Sequence, residues 1–396
     1  MRYPICEVLG RGKAGMTTQM IDSDTLARIS QGYDEVASRS HSLHADCYQH
    51  QRFLDLERQQ IFHKSWQFLC HEEKLAQPGS YVAAEVEGQS IFACRDKNGE
   101  LRAFYNVCKH RGHQLLQGSG QTKVITCPYH AWVYGLDGRL SRARRSELIE
   151  NFDTEKICLD AVSVEVFCHL VFVNLDPTAP TLADESASLS DEIMSYAPDL
   201  ANLTHAHTLT YRIQANWKAV VDNFLECYHC PVAHRDFCTL VEMDTYKVKT
   251  HGIYSSHMAK AGRGDNKAYG VDSASVTDHA VWYLWPNTTL MRYPGRGNFM
   301  VWRFYPDGPE QTYEVFDFFF ETDTPNESEL EAIRFIDEVL QPEDIGLVES
   351  VQRGMQTPAF NQGRYLVDPA GSGMSEHAVH HFHGLVLDAY RGAVQP

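Results

Sequence analysis

The 396-residue chain has no run of apolar residues long enough to cross a membrane as a helix; the stretch from Val162 to Val173, among the longest, is interrupted by Glu165 and His169. Residues 1–15 contain Arg2, Arg11 and Lys13 but no apolar core of the kind a secretory leader needs, so no membrane and a cytoplasmic location are expected. Positive charge is scarce as well. Lysine and arginine number 35 against 52 acidic residues, giving a formal net charge of −17. That balance excludes the broad basic field with which proteins neutralise phosphates, and no nucleic-acid partner is expected. Cysteine is present but thinly spread: 11 residues, an odd number, do not make the dense and even framework of a small secreted domain. Reduced thiols and metal ligation fit better. Internal repeats and low-complexity tracts are also lacking.

What is present is a change of pattern along the chain. Residues 1–45 have weak periodicity and read as an N-terminal extension. From Asp46 to Leu75 the apolar positions suit a helix followed by a strand, closed by Pro78-Gly79. Short β-prone runs then follow, Tyr81–Val86, Ser90–Arg95, Lys123–Thr126 and Val162–Asn174, punctuated by turn signals such as Asp137-Gly138. Residues 46–176 therefore read as an N-terminal helix plus a small antiparallel β domain. Pro177 to Pro198 reads as a linker and a short helix. In the rest of residues 177–396, strands are expected at Thr208–Gln214, Tyr246–Met258, Ala280–Arg292, Gly297–Pro306 and Gln311–Thr322, and helices at Trp217–Tyr228 and Ser328–Met355. The fold class is α+β, with an antiparallel sheet in the second domain.

Two clusters of metal-binding residue types stand out. Cys108, His110, Cys127 and His130 form C-x-H-x16-C-x2-H in loops flanked by β-prone residues. Two thiolates and two imidazoles suit a [2Fe-2S] cluster, Cys108 and Cys127 on one iron and His110 and His130 on the other, and neutral imidazoles raise its potential. The same set also suits tetrahedral zinc. Further on, Asp222, Glu226 and His229 fall at i, i+4 and i+7 and would share one helical face, with Pro231 ending the helix before His234. His229 and His234 need a carboxylate to complete a facial triad for Fe(II) with open positions for O2 and substrate. Asp344, on the apolar side of the last predicted helix with Val348, Val351 and Met355, is the candidate. Its plainer reading is a first-turn acid that favours the helix N-terminus.

The loops Cys-Lys-His-Arg-Gly and Cys-Pro-Tyr-His-Ala-Trp, with Gly135, Asp137 and Gly138 beyond them, resemble those of a Rieske cluster. The segment acid-x3-acid-x2-His-x4-His, matched by Asp222, Glu226, His229 and His234, resembles the mononuclear iron segment of Rieske non-haem iron oxygenases. The resemblance covers nearly all of the chain from about residue 45. It implies a Rieske domain followed by a catalytic domain of helix-grip type, and a head-to-tail homotrimer. In it Glu226 would bridge the iron site to a cluster histidine, His130, of the neighbouring chain. Electrons would come from NAD(P)H through a separate flavin- or ferredoxin-type reductase, with O2 as co-substrate. Glu226, where Asp is the widespread choice, and the string Asn-Phe-Leu-Glu-Cys-Tyr-His-Cys resemble the branch that oxidises quaternary ammonium compounds, which implies N-demethylation of a small betaine. An aromatic-ring dioxygenase and a plain Rieske electron carrier are the alternatives.

Other features have plainer readings. Trp282, Tyr283, Trp285, Tyr293 and Trp302 could cage an ammonium group, though strand alternation lets about half of them face one side. Cys227 and Cys230 read as packing residues, and His377, His380, His381 and His383 as a surface or interface group. Arg139, Arg142, Arg144 and Arg145 form a basic patch after the second cluster loop that suits an acidic redox partner.

Overall fold

The computed structural model describes residues 21–262, 277–295 and 297–394. The described residues fall into two compact units, one of Phe62–Leu182 and one that joins the residues up to Ile61 to those from Ala183 onward.

The smaller unit is antiparallel β. Its strands are β1 (Gln67–His71), β2 (Ser80–Val86), β3 (Gln89–Arg95), β4 (Leu101–Tyr105), β5 (Ser119–Gln121), β6 (Ile125–Thr126), β7 (Val133–Tyr134), β8 (Leu140–Arg142), β9 (Ala161–Phe167) and β10 (Leu170–Asn174). Seven pair in the order β1-β10-β9-β4-β3-β2-β5, and β6-β7-β8 form a separate small sheet. The run Val162–Asn174, expected as one strand, is a hairpin: Cys168 and His169 take φ of 49° and 62° and reverse the chain. A two-residue turn of that kind usually announces itself with Asn or Gly, so the sequence carried no signal for it. Gly138 carries its expected turn at φ 84°, where a Cβ would approach Phe104 to 2.4 Å.

In the larger unit β11 (Thr204–Ile213), β12 (Lys247–His251), β13 (Tyr254–Lys260), β14 (Asp278–Leu284), β15 (Thr288–Arg292), β16 (Asn298–Gly308) and β17 (Gln311–Phe320) make a seven-stranded antiparallel sheet, ordered β11-β17-β16-β15-β14-β13-β12. Direct cross-strand partners share a face, so Ser255, Tyr283, Thr289, Trp302 and Phe316 line one side. Helices cover that side: Phe224 of the helix Trp217–Phe224 meets Trp302 edge-on at 5.2 Å, and Phe382 of the helix His377–Ala393 meets Tyr283 at 5.8 Å. Trp282 points to the other side, donating its indole N–H to Glu192.

The helix Gln51–Gln60, grouped by sequence with the small β domain, lies in the larger unit. Glu57, wholly buried, fixes it there, accepting from Lys218 Nζ at 2.6 Å, from the Trp217 indole at 2.7 Å and from the Tyr390 hydroxyl.

Candidate metal centres

In the smaller unit the four candidate cluster residues converge. Cys108 and Cys127 are buried among Phe92, Phe104, Leu115 and Trp132, whereas His110 is exposed and His130 half-exposed. The backbone places them: Gly112 N–H donates to the Cys108 carbonyl and Ala131 N–H to that of Cys127, so each loop closes on its own cysteine. The two imidazole Nδ1 atoms face each other at 3.1 Å, as two ligands of one metal ion would. Burial pushes the Cys127 thiol up, while the backbone N–H groups of Tyr129 and His130 favour its thiolate. Tyr134 places its hydroxyl 3.3 Å from Cys108 Sγ and accepts the Lys109 N–H at 3.0 Å. Sequence reasoning passed over Tyr134, although it lies two residues beyond Trp132, on the strand β7 that leaves the second cluster loop. Buried sulfurs inside and two ring nitrogens outside suit a group with unlike ends.

In the larger unit the donor atoms of His229, His234 and Asp344 all lie within 4.8 Å of one another. His234 Nε2 is 2.9 Å and His229 Nε2 3.7 Å from Asp344 Oδ1. The opposite ring nitrogens are held by acids: Nδ1 of His229 lies 2.6 Å from Glu226 Oε1, and Nδ1 of His234 lies 2.8 Å from Glu343 Oε2. Asn223 donates to Asp344 at 2.7 Å. Burial disfavours the charged form of His234, but Asp344 and Glu343 outweigh it and lift the ring to about 9. Two imidazoles that turn their Nε2 atoms towards one carboxylate, with their Nδ1 atoms occupied, fit a divalent cation. Glu343 was the part that sequence reasoning missed. Its place one residue before Asp344 on the helix Gln341–Met355 was the available signal.

The route by which these residues meet differs from the expected one. The helix ends at Phe224, so Asp222, Glu226 and His229 do not lie on one helical face. His229 sits in the turn before the short helix Cys230–Ala233, and His234 ends that helix. Asp222 stands apart from the triad. It accepts from the Tyr48 hydroxyl at 2.7 Å and lies 2.8 Å from Nε2 of His383, whose Nδ1 accepts from Leu43 N–H. His383 and His380 are therefore buried structural residues rather than surface ones. Cys227 and Cys230 are joined in a disulfide, not merely packed. Glu226 is held within its own chain, its Oε2 accepting the N–H groups of Tyr228 and His229.

Residues 65–153 match the family model for the Rieske [2Fe-2S] domain, and residues 200–392 that for the ring hydroxylating alpha subunit (catalytic domain). The carnitine monooxygenase oxygenase subunit of Escherichia coli (strain K12) is 39% identical over 346 residues, which span 87% of this chain and 92% of that protein. The chloroplastic choline monooxygenase of Spinacia oleracea is 30% identical over 351 residues, 87% of this chain and 77% of its own. The crystal structure of the quaternary ammonium Rieske monooxygenase CntA in complex with L-carnitine matches with a TM-score of 0.80 and 34% identity, covering 89% of this chain and 96% of that one. The chain therefore belongs to the Rieske non-haem iron oxygenases, as the oxygenase (alpha) component. It is an enzyme of that class, with a [2Fe-2S] cluster and mononuclear iron as its metal groups, and a plain electron carrier is set aside. Among the described residues no helix is long and apolar enough to cross a membrane.

Proposed function

We propose that this oxygenase hydroxylates a small quaternary ammonium compound at a carbon bonded to the nitrogen, and that the favoured carbon is an N-methyl. The observation that carries the reading is the 39% identity, over 87% of the chain, to a carnitine monooxygenase, joined by the likeness to a choline monooxygenase. Both named substrates are quaternary ammonium ions. Substrate, O2, NAD(P)H and a proton would give the hydroxylated substrate, NAD(P)+ and water. The resulting hemiaminal then breaks its C–N bond, releasing formaldehyde, a tertiary amine and a proton.

In this reading Cys108 and Cys127 hold one iron of the cluster, His110 and His130 the other, and His229, His234 and Asp344 hold the mononuclear iron. Iron(II) in such a triad supplies O2 activation at its open positions. The rest is done by the chain. Glu226 and Glu343 fix the histidine rings with Nε2 inward, and Asn223 steadies Asp344. A carboxylate has lone pairs to spare, so Glu226 can also accept from His130 of a neighbouring chain, which a closed head-to-tail trimer would bring to it. A cytoplasmic reductase would feed the cluster. Arg144 and Arg145 border a groove with His110, His130, Trp132 and Phe152, and would steer an acidic partner to it.

Metal analysis and EPR of the dithionite-reduced protein test the assignment of ligands. About three irons and two sulfides per chain with a Rieske signal are expected. Zinc in the cysteine site, or two irons alone, would overturn it.

A further inference from the structure

On the helix-covered face of the larger sheet one acid has no visible reason to be there. Glu314 of β17 is 1% exposed, and its Oε2 has no hydrogen-bond partner. Directly across the ladder stands Phe304, and one rung along Trp302 stacks on Phe316 with ring centroids 4.3 Å apart. Phe224 closes over this group from the helix, 5.2 Å from Trp302 and 6.2 Å from Phe304. The Trp302 indole N–H, also without a hydrogen-bond partner by strict geometry, is the one group that favours the ionised form of Glu314. Burial and the like charge of Asp344 push the carboxyl well up from its ordinary value. No lysine, arginine or histidine acts on it.

A structural role does not account for this residue. A buried carboxyl without a partner costs more than the leucine or glutamine that could fill the same space. A buried orphan beside an active site points instead to a ligand that completes it. A positive ligand suits it, because no side chain supplies a counter-charge and a cation would favour the ionised form. A weakly hydrated cation with apolar bulk fits best, because the neighbours of Glu314 on this face, Trp302, Phe304, Phe316 and Tyr211, are aromatic rings that offer cation–π attraction. It must sit close to the triad, since Phe224, which closes over these rings, follows Asn223, whose side chain donates to Asp344.

We propose that Glu314 is the anionic wall of the substrate pocket, holding a quaternary ammonium head against Trp302, Phe304 and Phe316 beside Asp344. This rests on the quaternary ammonium reading above and deepens it. Of the five aromatics singled out in the sequence, Trp302 alone belongs to this wall. Tyr283 shares its sheet face, but its hydroxyl is spent on the Pro286 carbonyl, and Trp282 faces away.

The test is calorimetric binding to the anaerobic, metal-loaded enzyme, wild type against Glu314→Gln and Glu314→Asp. The probes are L-carnitine, γ-butyrobetaine, choline and glycine betaine, and for the tightest of them its carbon isostere with a tert-butyl group in place of trimethylammonium. The expected result is roughly thirtyfold weaker binding of the cation by Glu314→Gln, no loss for the neutral isostere, partial recovery in Glu314→Asp and unchanged iron content in both. Equal loss for cation and isostere, or no loss for either, overturns the assignment while the quaternary ammonium reading stands. Loss of the mononuclear iron in Glu314→Gln overturns it too, by moving the residue to the metal site. If the wild type binds none of the cations, the functional reading fails and this assignment with it.

Discussion

A histidine ligates through a neutral ring nitrogen, so what holds its other nitrogen governs how well it does so. Here that holder is an acid in both cases, Glu226 for His229 and Glu343 for His234. His234→Ala should lower iron from about three to about two atoms per chain, abolish turnover and leave the Rieske EPR signal intact. Glu343→Gln should keep the ligand but weaken iron retention by about 10- to 100-fold, read by chelator competition. The ligand types were legible in the sequence because few chemistries need C-x-H with C-x2-H, or two histidines five residues apart beside acids. Glu343, Tyr134 and Glu314 were not. Their roles arise from what they face across the chain; only Glu343, one residue before Asp344, had a local signal. Asp222 misled for the same reason: its spacing from His229 suggested a shared face, but the helix stops at Phe224 and the acid turns to Tyr48 and His383.

Elements that carry the triad are fixed by buried polar contacts as well as by apolar packing. The helix Trp217–Phe224 starts at Asn216, whose side chain caps Lys218 N–H, and Lys218 Nζ is bound to Glu57 with both side chains wholly buried. Lys218→Met would strand Glu57 without its counter-ion and should cost about 3–5 kcal/mol, measured by denaturant unfolding. On the sheet, burial pushes the Asp317 carboxyl up, but His205, Arg303 and Thr208 outweigh burial and hold it at about 2. A folded-state value below the ordinary 3.8 means that its stabilising effect is complete above that pH and is lost as pH falls towards 2. Asp317→Asn should therefore flatten acid unfolding between about pH 5 and 2 and remove about 2 kcal/mol at neutral pH. Strand positions were readable from alternation, yet three expected strands are hairpins, Val162–Asn174, Tyr246–Met258 and Ala280–Arg292. Cys168-His169 carries no turn residue, whereas Gly252 and Pro286-Asn287 did mark the other two turns and were read as continuing strand.

At the scale of the whole molecule, the proposed trimer makes Glu226 a residue with two duties, steadying His229 in its own chain and meeting His130 of the next. Glu226→Gln should keep the cluster and threefold mass by light scattering, and still accept electrons into the cluster, while turnover per bound mononuclear iron falls about 10- to 100-fold, the range typical for loss of a supporting partner. Failure of the trimer to form in the wild type would remove that role. Charge reversal at Arg144 and Arg145 should raise the reductase concentration needed for half-maximal rate and weaken its salt dependence. The central claim is the oxidation of a quaternary ammonium carbon, and its most direct test is product analysis of the reconstituted enzyme with L-carnitine, γ-butyrobetaine, choline and glycine betaine. Formaldehyde in step with NAD(P)H and O2 consumption is the predicted result. Trimethylamine in its place would keep the substrate class but move the attack to the chain side of the nitrogen. Neither product, from protein carrying both metal groups, would contradict the account.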